Sequence, residues 1–516
     1  MSFFSQFRSR ARVVDQANPN PDPHTWKFPS SYSTPQPGGK ETTIPNPKIF
    51  SNVFSIPSEA ELQSVKLETL LAYPDASHAA VHLALLECFN NLRASAGALD
   101  VEVVQPPQYN EKPTTSSTPQ STSLPESQRW DFLIKLAVTR FTAWWSSIDM
   151  VLNHASVYSH RAGSHAALQL TKDYLPPLDI LLVWYALILN PDAYDTACDS
   201  HKGNATRLKN LCFPWPAIRD VIDMEKMEFT LPRAAQNLFK NLSSQSCDIL
   251  SYLESPPAYT DSGKVRFETN LFAEVKKHEA FIAESHKMLW IRSPALRGSL
   301  VRAGSEYLDF HLGESAAIEE DVADQQAFGV QLFWKTHRLF PRQYKAFLKE
   351  IGRSQKQVIE DSKGNLKNTF EEDLTSLPSQ FCRCWTCERI RDELPEFVHS
   401  QLPTSSPPSS SKSTTPTPSK PMQQQLSLLS TDQIRQIQDD VGFHLAVEDA
   451  RRRKIPLPTR PPTAAEKEAE KIAKQKQKEV GYLPGLNEYV EVLPDGTRKI
   501  RVRRSRGNGY YAMMLL

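Results

Sequence analysis

The sequence predicts a mainly α-helical protein: a helical domain with two related helix–turn–helix units, plus a small C-terminal β-hairpin and disordered arms. Three observations lead there. Between residues 58 and 400 no alternating apolar–polar period of useful length occurs, whereas apolar stripes at three- and four-residue steps recur. Trp184, Leu189, Pro191 and Tyr194 return as Trp334, Leu339, Pro341 and Tyr344, at the same internal spacing and 150 residues on. Given a Trp, the 39 Pro and 15 Tyr in 516 residues put Pro and Tyr at those offsets by chance with odds of about 0.002. Finally, Ser/Thr/Pro tracts and a mean hydropathy of −0.46 mark a sizeable part of the chain as unable to build a core.

Taken in order, residues 1–44 read as a disordered arm and residues 45–400 as the helical domain. Ser58 and Glu61 make a capping box ahead of Leu62, Val65 and Leu70. The next helix, Ala79 to Ala94, sets Val81, Leu85, Cys88 and Leu92 on one stripe. His78 and His82, four apart, could share a metal, but with no partner ligand nearby in sequence they read as two half-exposed histidines. Residues 105–128 are Pro/Ser/Thr-rich and read as an inserted loop. Trp130, Leu133, Ile134, Phe141, Trp144, Trp145 and Ile148 then cover more than one face, so their helix is expected at the centre. His154, His160 and His165 follow in a stretch read as a polar loop that matches no metal-ligand spacing.

The repeated motif has a mechanical reading. Apolar residues run up to each Trp, and the Pro stops that helix or opens the next, because it lacks an N–H and fixes φ. Tyr three residues later sits one turn into the following helix, where it can fold back on the Trp. Further helices are expected around Ala217–Met224, Ala234–Leu253, from Leu271, over Leu296–Leu312, and through the second motif to Ile351.

On these residues the chain resembles the glycine-rich domain-containing protein-like family of plants and fungi. Its signature reads approximately Trp-His-x-His-x-Leu-x-Pro-x-x-Tyr after an apolar run with Pro and Asp. Pro177-Leu178-Asp179 precedes the first copy, Trp290 to Leu296 precedes the second, and Cys198 also fits. The family's histidine positions hold Tyr185 and Leu187 in one copy, and Lys335 and His337 in the other. The resemblance spans roughly residues 80–390, without the glycine-rich segment, and implies a fold rather than an established chemistry.

The net charge is +1, so the whole molecule is no polyanion binder. Seven cysteines, an odd number without framework spacing, fit a reducing compartment. The first residues lack the apolar core of a secretion signal, and the longest apolar run, Ile180 to Leu189, is about half a membrane span. A cytoplasmic or nuclear protein without a membrane segment is expected. In that setting the Asn204 and Asn241 sequons stay idle.

One cluster carries ligand chemistry. Cys382, Cys384 and Cys387 put three thiols within six residues, and zinc in a closed site takes four ligands, the fourth drawn from His337, His399 or Cys247. Reduced thiols packed around Trp385 and a redox sensor are the alternatives. Catalytic signatures are incomplete: His278-Glu279 begins a zincin helix, but Ile282 occupies the second histidine position. No His is followed at two residues by a carboxylate, as a non-haem iron oxygenase requires. No Gly-x-Ser-x-Gly elbow exists. Arg342 and Lys345 near His337 offer either an anion pocket or a solvated basic face.

Residues 401–428 form a Ser/Thr/Pro linker, 429–480 charged helices and 481–516 a basic hairpin tail. Ser430 and Gln433 can cap a helix whose stripe is Ile434, Ile437, Val441, Leu445 and Val447. Tyr489 to Leu493 and Thr497 to Val502 flank Pro494-Asp495-Gly496, a hairpin with a tight turn. Protein partners are expected through the C-terminal helix and hairpin. The function that follows is a non-catalytic interaction or scaffold protein. The alternatives are a metal-dependent hydrolase or oxygenase using His337 and the cysteines, and RNA binding through the basic tail.

Overall fold

The structure is a computed structural model describing residues 45–54, 74–99, 102–103, 122–123, 125–159, 170–201, 203–251, 267–313, 326–362, 382–394, 429–458, 468–475, 488–492 and 498–502. They fall into two compact units divided between residues 448 and 449. The expected arm at 1–44, the Ser58 capping box, His160, His165 and the linker at 401–428 lie outside the described residues.

The larger unit is built on helix α1, Ala76–Ala98. Asp75 caps it, accepting from the backbone N–H of Ser77 and His78 at 2.9 and 3.2 Å. His78 takes the place usually held by Glu or Gln in the capping box. Ala79, Ala80 and Ala84 let neighbours approach where longer side chains would stand off. The helix is therefore buried nearly all round rather than on one stripe. Two-residue strands β1 (Glu102–Val103) and β2 (Thr122–Ser123) pair antiparallel at the base of the inserted loop. Helix α2 (Glu126–Ser146) packs on α1 with Trp130, Phe141, Trp144 and Trp145 buried, as its broad apolar coverage requires. It runs into α3, Ile148–Ser159, so His154 lies on a helix, not in a loop.

The first Trp corner joins α4 (Leu178–Ile188) to α5 (Pro191–Asp199). Pro191 opens α5 at its first position, and Asn190 caps it by accepting from Ala193 N–H at 3.2 Å. Asp179, in the first turn of α4, holds Arg140 of α2 through a 2.7 Å ion pair with both side chains out of water. Short helices α6 (Ala205–Lys209) and α7 (Trp215–Val221), strands β3 (Ile222–Asp223) and β4 (Glu228–Phe229), and helix α8 (Arg233–Ser243) follow. Helices α9 (Leu271–Lys277), α10 (Glu279–Met288) and α11 (Leu296–Gly313) lead to the second corner.

That corner joins α12 (Phe328–Arg338) to α13 (Pro341–Ser362), again with Pro at the first position. The indole N–H of Trp334 donates to the Tyr344 hydroxyl at 3.1 Å, the fold-back that the spacing predicts. In the first corner the Tyr194 hydroxyl donates instead to Leu208 O at 2.8 Å, and Trp184 packs against Trp144 and Phe213. The corners meet: Asp195 and Lys345, each one residue past its motif Tyr, form a 2.6 Å ion pair. Helices α11 and α12 lie close because Gly329 faces Ala303, where a Cβ would come within 2.7 Å of the alanine's own.

The last elements of this unit are α14 (Trp385–Glu393) and most of α15 (Thr431–Arg452). The capping box predicted for α15 forms, with Ser430 N–H donating to Gln433 at 2.8 Å and Gln433 N–H to Ser430 at 3.2 Å. Ile437 and Val441 join the core, and Asp440 and Glu448 reach Arg389 and Arg292 at 3.6 and 3.5 Å. The helix thus spends its apolar stripe within the chain. Leu445 is the exception, 47% exposed.

In the smaller unit, strands β5 (Glu488–Val492) and β6 (Arg498–Val502) pair antiparallel, with Val490 opposite Ile500 and Glu491 opposite Lys499. Among the described residues no helix is long and apolar enough to cross a membrane.

Candidate metal centre

Cys382 and Cys384 stand just ahead of α14, Cys384 as its N-cap, and Cys387 lies in its first turn. The three sulfur atoms lie within 4.8 Å of one another, with Cys384 and Cys387 at 3.3 Å. Zinc bonded to sulfur at about 2.3 Å separates tetrahedral ligands by about 3.8 Å, so the three thiols fit three corners of such a site. Cys382 is exposed and Cys387 buried, which turns one edge of the cluster toward solvent.

Two tryptophans fix this loop. Trp290 donates its indole N–H to Arg383 O at 3.1 Å, and Trp385 donates to Met288 O at 3.0 Å. Arg383 itself is held by Glu306 at 2.8 Å. Beneath the loop Glu388 is wholly buried, at 2.6 Å from Arg302, 3.2 Å from Arg391 and 3.0 Å from the Ser299 hydroxyl. Burial pushes its carboxyl up, but Arg391, Arg302 and Arg383 outweigh this and hold it below the usual glutamate range.

The neighbouring thiols raise one another's pKa values. Its hydrogen bond to Cys382 pushes Cys384 up to about 11, and bonds to Cys382 and Cys384 push Cys387 up as well. Thiols this weakly acidic are poor nucleophiles, whereas a divalent metal displaces their protons on binding.

The remaining predicted ligands lie elsewhere. His337 sits on α12 with Nδ1 bonded to the Tyr307 hydroxyl at 2.8 Å and does not join the three sulfurs. Cys247 points its thiol at Gln236 O, 3.6 Å away, and His399 lies outside the described residues. The half-exposed pair expected at His78 and His82 is buried and divided. His78 bonds Asp75 at 2.6 Å, while His82 bridges Thr336 at 2.8 Å and Tyr185 at 3.0 Å. His82 therefore ties α1 to both Trp-motif helices, and its burial drives its pKa down to about 3. Glu279 of the zincin-like pair accepts from the Trp130 indole at 2.6 Å. Lys345 serves Asp195 rather than an anion pocket.

Sequence reasoning missed the pairing of Tyr307 with His337 and of Thr336 with His82. The partners stand 30 and 254 residues apart in the chain, so spacing offers no signal for either pairing. In comparisons with family models, curated proteins and solved structures, nothing matches this chain.

Proposed function

We propose that the chain is a non-catalytic interaction protein of the glycine-rich domain-containing protein-like family. In this reading the helical body is the scaffold and the C-terminal unit engages an acidic protein surface. The distribution of charge carries it. Residues 449–516 hold sixteen Lys and Arg against eight Asp and Glu, a net charge of +8, while the whole chain carries only +1. A basic segment set against an acidic remainder steers oppositely charged partners and is sensitive to salt. The α15 stripe is spent inside the chain, which leaves the hairpin as the element for partner contact.

In the same reading the three cysteines hold zinc, which closes the loop ahead of α14 as a structural clamp. A reaction centre combining His337 with the cysteines draws no support from their placement, since His337 is committed to Tyr307.

Two measurements test this. Affinity capture with the full chain is compared with a charge-reversed form, Arg498→Glu, Lys499→Glu and Arg501→Glu. Partners lost on reversal and insensitive to ribonuclease support the reading; partners unaffected by reversal refute it, and loss on ribonuclease treatment moves the function to RNA. Elemental analysis under reducing conditions is expected to find about one zinc per chain, lost with Cys384→Ser. Less than about 0.2 zinc per chain removes the clamp.

A further inference from the structure

The three thiols of the cysteine cluster are graded from water to core. Cys382 is exposed, Cys384 half-buried and Cys387 buried. Their places on the chain set this order. Cys382 lies in the loop ahead of α14, Cys384 is the N-cap, and Cys387 is the third residue of the helix. Cys384 and Cys387 therefore face each other across one helical turn, with their sulfurs 3.3 Å apart and Cys382 Sγ within 4.8 Å of both.

Two features suit the cluster to more than static metal binding. Tetrahedral zinc keeps its sulfur ligands about 3.8 Å apart, so Cys384 and Cys387 at 3.3 Å already lean toward each other. The frame of the loop, moreover, does not use the sulfurs. Trp290 holds Arg383 O, Trp385 holds Met288 O, and Glu306 holds the Arg383 guanidinium. The loop can keep its place while the thiols change partners.

We propose that the cluster is a hydroperoxide-operated thiol relay, in which Cys382 meets the oxidant and Cys384 and Cys387 end as a disulfide. The inference rests on the zinc reading above for the metal that the relay releases. Metal binding leaves the sulfurs as thiolates. The Cys382 thiolate attacks one oxygen of the hydroperoxide; the O–O bond breaks, an S–O bond forms, and the other oxygen leaves as hydroxide or alkoxide. The Cys384 thiolate attacks the Cys382 sulfur, expels hydroxide and joins the two residues. Cys387, beside Cys384, then displaces Cys382 by thiol–disulfide exchange, and Cys382 returns to a thiolate. Over the sequence two thiolates are oxidised to one disulfide and the peroxide is reduced to two oxyanions. Capture by a neighbouring sulfur keeps the exposed Cys382 off the irreversible sulfinic step. A single remaining thiolate is too few ligands to hold zinc, so the clamp opens.

The test treats the full chain, loaded with zinc under reductant and then freed of it, with hydrogen peroxide. A zinc-binding dye is expected to read about one zinc released for about two thiols lost. Peptide mapping under non-reducing conditions is expected to find the Cys384–Cys387 disulfide, with Cys382 still a thiol. Reductant and zinc together should restore the starting state. Cys382→Ser is expected to reach the same disulfide more slowly, and Cys387→Ser to stop at a link between Cys382 and Cys384. A chain that holds zinc and keeps it in peroxide, a final disulfide that includes Cys382, or a Cys382→Ser form that oxidises as fast as the unmodified chain overturns the relay. A chain that takes up no zinc removes the clamp alone, and disulfide mapping on that chain decides the relay by the same outcomes.

Discussion

Removing the carboxylate of Asp179 should unfold the first corner more effectively than any surface change. Asp179 is 1% exposed and Arg140 0%, with the guanidinium Nε 2.7 Å from the carboxylate. Ser246 O at 2.8 Å and the Gln245 side chain at 3.5 Å also accept from the guanidinium, but both are uncharged, so Asp179→Ala removes the paired carboxylate from a buried cation. Breaking such a pair from one side costs about 3–5 kcal/mol, a large part of a typical domain's stability. With a urea dependence of about 3 kcal/mol per molar, the unfolding midpoint should fall by about 1–1.7 M. Tryptophan fluorescence reports it directly, because Trp144 of α2 and Trp184 of α4 lie 5.5 Å apart beside the pair. Replacing both partners with apolar residues, Arg140→Met and Asp179→Leu, should recover most of the loss, since the pair's own desolvation cost also disappears. A loss below about 1 kcal/mol for Asp179→Ala, or a double variant no better than the single, would refute the account.

The ion pair between Asp195 and Lys345 offers the contrast. Its lysine is 46% and its aspartate 34% exposed, so Lys345→Ala should cost less than about 1 kcal/mol in the same assay. Acid should weaken the larger unit through its interior histidines. His82 and His337 have folded pKa values driven by burial to about 3, and His311 to about 4, against 6.5 in an open chain. The unfolded state therefore takes up protons first, and stability present above pH 6.5 is lost as pH falls toward the folded values. Each such ring contributes a slope approaching about 1.4 kcal/mol per pH unit, so His82→Gln should flatten the stability profile between pH 6 and pH 4 by about that amount. An unchanged profile would mean that the His82 ring reaches water.

What the sequence announced was local. The Ser430–Gln433 cap and the two proline-opened helices follow from a few adjacent residues, and both form as their spacing requires. The broad apolar coverage of residues 130–148 likewise placed α2 at the centre. The environment of His78 and His82 was misjudged for a definite reason. Alanines at 79, 80 and 84 are silent in an amphipathic reading, yet they admit close neighbours and bury the face that carries the histidines. The convergence of the three cysteines was legible because they lie within six residues. The separation of His337 from them was not, since it depends on Tyr307, thirty residues earlier, arriving beside the imidazole. Pairings of that kind are decided by how helices stack, not by any period along the chain.

The contact between residues 195 and 345 bears on the history of the molecule. Identical subunits related by a two-fold axis bring a residue near that axis face to face with its own duplicate, acid against acid or base against base. Here the matched places carry Asp and Lys and attract one another. Such unlike pairing is open to the halves of one polypeptide, which can mutate separately, and closed to a pair of identical chains. If the halves descend from a self-associating ancestor, this bridge was acquired only after the two genes had been joined end to end.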